Sequence, residues 1–119
     1  NSFNLYDVNN DNWESITFKG DTISPRFFSG MTQLDNENLL LFGGLGNQTG
    51  EQSIGKTYYY DCFKINFQAK TIEKLWDSKK GNVKMVSSRG LVLNKDSTSF
   101  YNLSYSEFIP STFLQLYES

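Results

Sequence analysis

The sequence predicts an all-β fold of short strands joined by tight turns, and three observations predict it. Aromatic residues make up 16% of the chain, with 10 Phe and 7 Tyr against only 2 Pro, a composition that suits pleated, half-buried surfaces. Phe63, Ile65 and Phe67 alternate with Cys62, Lys64, Asn66 and Gln68, which is the two-residue period of a strand with one buried face. Leu39 to Phe42 form a continuous apolar run stopped by Gly43-Gly44, as in a strand buried on both faces and ended by a residue type that tolerates positive φ.

Turn residues divide the chain in order. Asn9-Asn10-Asp11-Asn12, Asp35-Asn36-Glu37-Asn38, Lys80-Gly81-Asn82 and Asn94-Lys95-Asp96-Ser97 each separate two apolar segments, because Asn, Asp and Gly accept the backbone angles and local hydrogen bonds of turns. The connection from Leu45 to Lys56 is rich in Gly, Asn and Gln and exceeds hairpin length, so it reads as a surface loop of the kind that carries binding. At 119 residues, a chain can bury roughly two-thirds of its unfolded surface.

Charge and cysteine usage exclude several classes. The net charge is -2 and no Lys/Arg stripe matches a phosphate backbone, so nucleic acid is not an expected partner. Cys62 stands alone, which rules out a disulfide within the chain and suits a small buried hydrophobe. No apolar run reaches the ~20 residues of a membrane span, and no secretory leader opens the sequence. Asn47-Gln48-Thr49 and Asn102-Leu103-Ser104 are glycosylation acceptors only in a eukaryotic secretory pathway.

An internal repeat is the strongest signal. Tyr6 to Ile16 aligns with Ile65 to Leu75 with large apolar residues at three matched positions, at an offset of 65 minus 6, or 59. Arg26, Phe28 and Leu40 to Gly44 find an echo in Arg89, Leu91 to Leu93 and Phe100 to Leu103, and Leu116 reads as a third copy of the Tyr6 position. Repeats of ~50 residues with four strands each belong to kelch propellers. The string Tyr6-Asp7, Trp13, Ser24-Pro25-Arg26 and an apolar run into Gly43-Gly44 resembles the kelch repeat of the galactose oxidase-like propellers. In the second copy Ile72 replaces the tryptophan and Asn102-Leu103 replaces the double glycine. Lys56 to Asp61 and Ile109 to Phe113 also resemble kelch-bearing proteins of the Bacteroidetes type, some of which place a propeller outside the cell ahead of a signalling module.

The resemblance implies kelch-type blades, each a four-stranded antiparallel sheet, in an incomplete propeller. Residues 1–19 would hold the last two strands of one blade, 20–78 a complete blade, and 79–119 the first three strands of a third. The strands of the complete blade would be Gly30 to Leu34, Leu39 to Phe42, Thr57 to Phe67 and Thr71 to Trp76; those of the third, Lys84 to Leu93, Thr98 to Leu103 and Thr112 to Tyr117. A propeller closes with 4 to 8 blades, so the open edges call for the remaining blades of a longer chain or for self-association.

Motifs for chemistry are few. Gly50 to Thr57 matches the phosphate-loop pattern, but that mechanism needs a strand before the loop and a helix after it, and the alternating Phe63, Ile65 and Phe67 follow instead. Gly44-x-Gly46 fails as a dinucleotide fingerprint for the same reason. With 0 His and 1 Cys, neither a zinc site nor the histidine-held copper that the resemblance brings to mind has its ligands here. Asp7, Asp11 and Asp35 lack the spacing of a calcium loop, and Glu51, Asp61 and Lys56 do not form an acid and base pair. No catalytic residue, metal or cofactor is therefore assigned. Tyr6, Trp13, Arg26, Gly43 and Gly44 hold repeat positions and read as structural: the two aromatics packing sheet on sheet, Arg26 satisfying backbone carbonyls. Asn47, Gln48, Glu51, Tyr58 and Tyr59, polar loop residues beside exposed aromatics, are the candidate ligand contacts. The expected function is recognition of a protein or carbohydrate ligand, as the sensory part of a larger receptor outside the cytoplasm. The alternative is the scaffold of a propeller enzyme whose catalytic groups lie on other blades.

Overall fold

The computed structural model describes residues 3–51, 55–77, 85–87, 91–106 and 112–118. The protein is all-β over these residues, with strands in three sheets, none closed on itself. Strands β1 (Phe3–Asp7) and β2 (Asn12–Ile16) form an antiparallel hairpin. The central sheet contains β3 (Lys19–Gly20), β4 (Arg26–Phe27), β5 (Gly30–Gln33), β6 (Asn38–Gly46), β7 (Thr57–Asn66) and β8 (Thr71–Asp77), in the order β3-β8-β7-β6-β4 with β5 also beside β6. The third sheet holds β9 (Met85–Ser87), β10 (Val92–Leu93), β11 (Ser99–Ser106) and β12 (Thr112–Glu118), with β11 between β12 and the pair β9 and β10. Among the described residues no helix is long and apolar enough to cross a membrane.

Alternation along β6 and β7 sends side chains into two separate cores. Leu41, Phe63 and Ile65 join Ile23 and Ile72 in the first, with Phe3, Phe18 and Leu39 packed against it. Leu40, Phe42 and Cys62 meet Leu91 and Phe100 in the second, with Leu34, Tyr60, Trp76 and Leu93 around them. Because successive residues of a strand face opposite ways, an unbroken Leu39-Leu40-Leu41-Phe42 run supplies both cores at once. Phe3 of the hairpin packs against the first core, and Leu91, Leu93 and Phe100 from the region of the third sheet contribute to the second. Phe42, Trp76 and Phe100 form an aromatic triad at the second contact, with ring centroids 5.4 to 6.1 Å apart.

The repeat seen in the sequence is preserved in strand register. In the hairpin Tyr6 pairs with Trp13, Leu5 with Glu14, Asn4 with Ser15 and Asp7 with Asn12. Shifted by 59, these become Ile65 with Ile72, Lys64 with Glu73, Phe63 with Lys74 and Asn66 with Thr71, and all four are register pairs of β7 and β8. The turns match as well. Asp11 and Lys70 both have positive φ, at 50° and 55°. The Asp7 carboxylate accepts the Asn10 N–H at 3.2 Å, and the Asn66 side-chain oxygen accepts the Ala69 N–H at 2.8 Å, the Asx bond that favours these residues before a turn. Past these four pairs the copies diverge: β8 carries a bulge opposite the step from Cys62 to Phe63, so Cys62 pairs with Trp76.

Several expectations are corrected. The central sheet is larger than a four-stranded antiparallel blade. Its first strand is split into β4 and β5, because Phe28 at φ 58° breaks the line of residues along β6, and β3 adds a short parallel pairing to β8. The split recurs in the third sheet, where β9 and β10 share β11. The connection expected from Leu45 to Lys56 begins later: Leu45 is fully buried and, with Gly46, extends β6 against Tyr58 and Thr57. Leu116 is not at the Tyr6 position. With Asn102-Leu103 in the place of Gly43-Gly44, Tyr101 stands for Phe42; Leu116 pairs with Tyr101 as Cys62 pairs with Phe42, so Leu116 takes the register position of Cys62. Finally, among the described residues no second sheet packs on Tyr6 and Trp13: they are 39% and 70% exposed, and their rings lean on each other at 5.0 Å. The sheet contact falls to Phe3 and Phe18, whose rings lie 4.5 Å apart, because Phe3 is on the hairpin face that meets the central sheet.

Candidate functional site

The site is built around Arg26. At Gly43 and Gly44 the backbone of β6 turns through φ 65° and 105°, which glycine alone adopts without a Cβ penalty, and the pairing with β7 slips there. The slip frees the Gly43 carbonyl from the ladder, and it accepts hydrogen bonds from the Arg26 guanidinium at 3.1 Å and the Ser29 hydroxyl at 3.0 Å. Arg26 Nε donates to the Ser24 carbonyl at 3.1 Å. The guanidinium also grips the Asp61 carboxylate with two bonds, of 2.5 and 3.2 Å. Both side chains are nearly withdrawn from solvent, at 5% and 6% exposure, so a charge that burial would penalise heavily is met by a fork-on-carboxylate partner. The Tyr59 ring lies under the guanidinium, 3.9 Å from its carbon to the ring centre.

Asp61 went unread in the sequence as this partner. The signal was present: it is an acidic residue between Tyr60 and Cys62-Phe63 in a strand whose neighbours are apolar, and a buried Arg calls for an anion as well as carbonyls.

In the loop between β6 and β7, the described residues Asn47, Gly50, Gly55 and Lys56 line a cleft together with Arg26. Asn47 organises this loop. Its side-chain nitrogen donates to the carbonyls of Glu51 at 2.5 Å and Gly55 at 2.9 Å, and its side-chain oxygen accepts the Thr49 hydroxyl at 3.0 Å. The Thr49 hydroxyl in turn accepts the Glu51 N–H at 3.2 Å. The loop then runs directly into strand β7 at Thr57, so its phosphate-loop-like spelling lacks the helix N-terminus that would face an anion.

Between the loop and β4 lies a cleft of about 370 Å³. Pro25 and the exposed Phe27 give it an apolar wall, Gly46, Gly50 and Gly55 bring backbone to its surface, and Arg26, Asn47 and Lys56 are its polar side chains. Of the five candidate contacts, Asn47 lines this cleft and Gln48, Glu51, Tyr58 and Tyr59 do not. Glu51 serves through its carbonyl on Asn47, Tyr59 through its ring under Arg26, and Tyr58 sits opposite Leu45 in the ladder. Pro25, Phe27 and Lys56 were missed, because their approach to Asn47 depends on the split first strand. A second hollow, of about 390 Å³, opens on the other side of Pro25 to Phe27, against Phe3, Phe28 and Met31.

Local structure shifts four titratable groups, Cys62, Asp7, Asp35 and Tyr6. Burial first, and the neighbouring Asp61 charge second, push the Cys62 thiol up to about 12, so it stays neutral and poorly nucleophilic. Hydrogen bonds from Asn10 and Asn9 hold Asp7 below the usual carboxylate range, and bonds from Asn38 and Glu37 do the same for Asp35. The Tyr6 hydroxyl donates to Asp11, which raises the phenol above its ordinary value.

No protein-family model matches this chain, and no curated protein matches it.

Proposed function

We propose that this chain is part of a kelch-type β-propeller and serves as a recognition module for a protein or carbohydrate ligand. The preserved 59-residue register supports the repeat reading, since a hairpin that recurs with the same four pairs and the same Asx turn is how a propeller builds successive blades. The cleft beside Arg26 carries the binding reading. An exposed aromatic, a proline, glycine backbone and the amide and ammonium groups of Asn47 and Lys56 converge there, a mixture of one apolar wall and a few fixed polar groups that suits a small ligand or a loop of a partner. The Arg26 and Asp61 pair acts as a rigid floor, because its hydrogen bonds are already made within the protein. Screening the chain against immobilised glycans and against peptides tests this reading. A hit that weakens at least tenfold in Phe27→Ala and Lys56→Ala, with the fold kept, supports it; hits unaffected by both substitutions contradict it.

A further inference from the structure

The cleft between β4 and the loop that leads into β7 has a sign. Its charged side chains are Arg26 and Lys56, and among the described residues no carboxylate lines it, although the chain as a whole carries a net charge of -2. The two cations differ in what they offer. The Arg26 side chain is 5% exposed and closed on Asp61, with further bonds to the Ser24 and Gly43 carbonyls, so its charge is met inside the protein. Lys56 is exposed, which makes it the lining cation within reach of a ligand.

The rest of the lining sets size and shape. Pro25 and Phe27 supply exposed apolar surface, while Gly50 and Gly55, at φ 77° and 114°, put no side chain into the space. Asn47 spends its amide nitrogen on the Glu51 and Gly55 carbonyls and so fixes the wall. A volume of about 370 Å³ is near the lower end for ligand pockets, roughly 300 to 1,000 Å³. It suits one ring and its substituents better than an extended peptide. Gly50, Gly55 and Lys56 also belong to the segment spelled like a phosphate loop. A phosphate ester brings about -1.5 to -2 charge at pH 7, and strand β7 stands where the helix N-terminus that would meet it belongs. A carboxylate brings a single charge, which a single ammonium balances.

We propose that the occupant of this cleft is an acidic sugar, a hexuronate residue of a glycan, with its carboxylate on Lys56 and one face of its ring on Phe27 and Pro25. A pyranose carries hydroxyls around its rim and C–H groups on its faces. The faces match the apolar wall, and the rim matches the backbone that the glycines bring to the surface. The assignment rests on this cleft being the ligand site and narrows its ligand to one class.

Titration of the isotope-labelled 119-residue chain with glucuronate, glucose and glucose 6-phosphate, followed by nuclear magnetic resonance, tests it. Glucuronate is expected to shift the amide signals of Gly50, Gly55 and Lys56 and to bind about fivefold tighter than glucose, the upper range for an exposed ion pair. Lys56→Gln is expected to bring glucuronate down to the affinity of glucose, and Phe27→Ala to weaken both sugars alike, with circular dichroism checking that both variants fold. Added salt is expected to erase the preference. Glucuronate that binds no tighter than glucose, a preference that survives Lys56→Gln, or tighter binding of glucose 6-phosphate overturns the proposal. An acidic peptide that shifts these signals where glucuronate does not also overturns it, and leaves the cleft as a peptide site. Signals that none of these probes moves overturn both the proposal and the reading beneath it.

Discussion

Arg26 and Asp61, separated by 35 residues, meet at 2.5 Å and lock the split first strand to the bulge between β6 and β7. Removing one partner leaves an uncompensated buried charge, which costs about 3 to 5 kcal/mol. Asp61→Asn and Arg26→Met are each expected to lower the urea midpoint by that equivalent. The double variant Arg26→Met with Asp61→Asn is expected to lose less than the sum of the single changes. Additive losses in such a cycle would show that the two side chains do not act as a pair.

The double glycine is expected to be irreplaceable for steric reasons beyond its backbone angle. A Cβ at Gly44 would lie 2.5 Å from the Ser29 hydroxyl oxygen and 2.9 Å from the Phe27 carbonyl oxygen. At Gly50, also at positive φ, the nearest atoms are Pro25 side-chain carbons at 3.6 Å, an ordinary contact. Gly50→Ala is therefore expected to cost only the left-handed backbone term, about 1 to 2 kcal/mol, and Gly44→Ala clearly more. Thermal unfolding of the two variants measures the difference, and equal losses would contradict it.

Much of this architecture was legible in the sequence, for a physical reason. A strand buried on both faces writes an unbroken apolar run, so Leu39 to Phe42 announced β6, and large apolar residues at three matched positions between Tyr6–Ile16 and Ile65–Leu75 announced the repeat. What escaped depends on long-range partners. Nothing local to Trp13 says whether a sheet covers it, and in the structure its exposed ring leans on Tyr6. The cleft was legible only at Asn47, since Pro25 and Phe27 reach it through the kink at Phe28, a left-handed conformation that no turn residue signals.

Cys62 is expected to make stability fall at alkaline pH. Its thiol is held neutral up to about 12 in the folded chain, against about 8.5 when unfolded. Because the folded value is raised, the contribution is fully present below the unfolded value and is lost as pH climbs from there towards the folded one. Denaturant midpoints measured from pH 8 upwards should decline less steeply in Cys62→Ala than in the wild type. Thiol reagents should react with the native chain far more slowly than with the unfolded one; equal rates would mean that Cys62 is not buried.

The aromatic triad gives a spectroscopic handle on the second sheet contact. Trp76 stacks on Phe100 at 6.1 Å with planes 9° apart, and Phe42 leans on both rings. Phe100→Ala is expected to cost about 3 to 5 kcal/mol and to shift tryptophan emission to the red as Trp76 gains water. An unchanged emission maximum would mean that the third sheet does not cover Trp76.

The account rests on one repeated hairpin standing between stacked sheets, and nuclear Overhauser contacts in the labelled chain measure that most directly. Cross-strand contacts from Tyr6 to Trp13 and from Ile65 to Ile72, together with contacts from the Trp76 indole to the Phe100 ring, are the predicted result. A register displaced by one residue in either hairpin, or a Trp76 indole without Phe100 beside it, would contradict it.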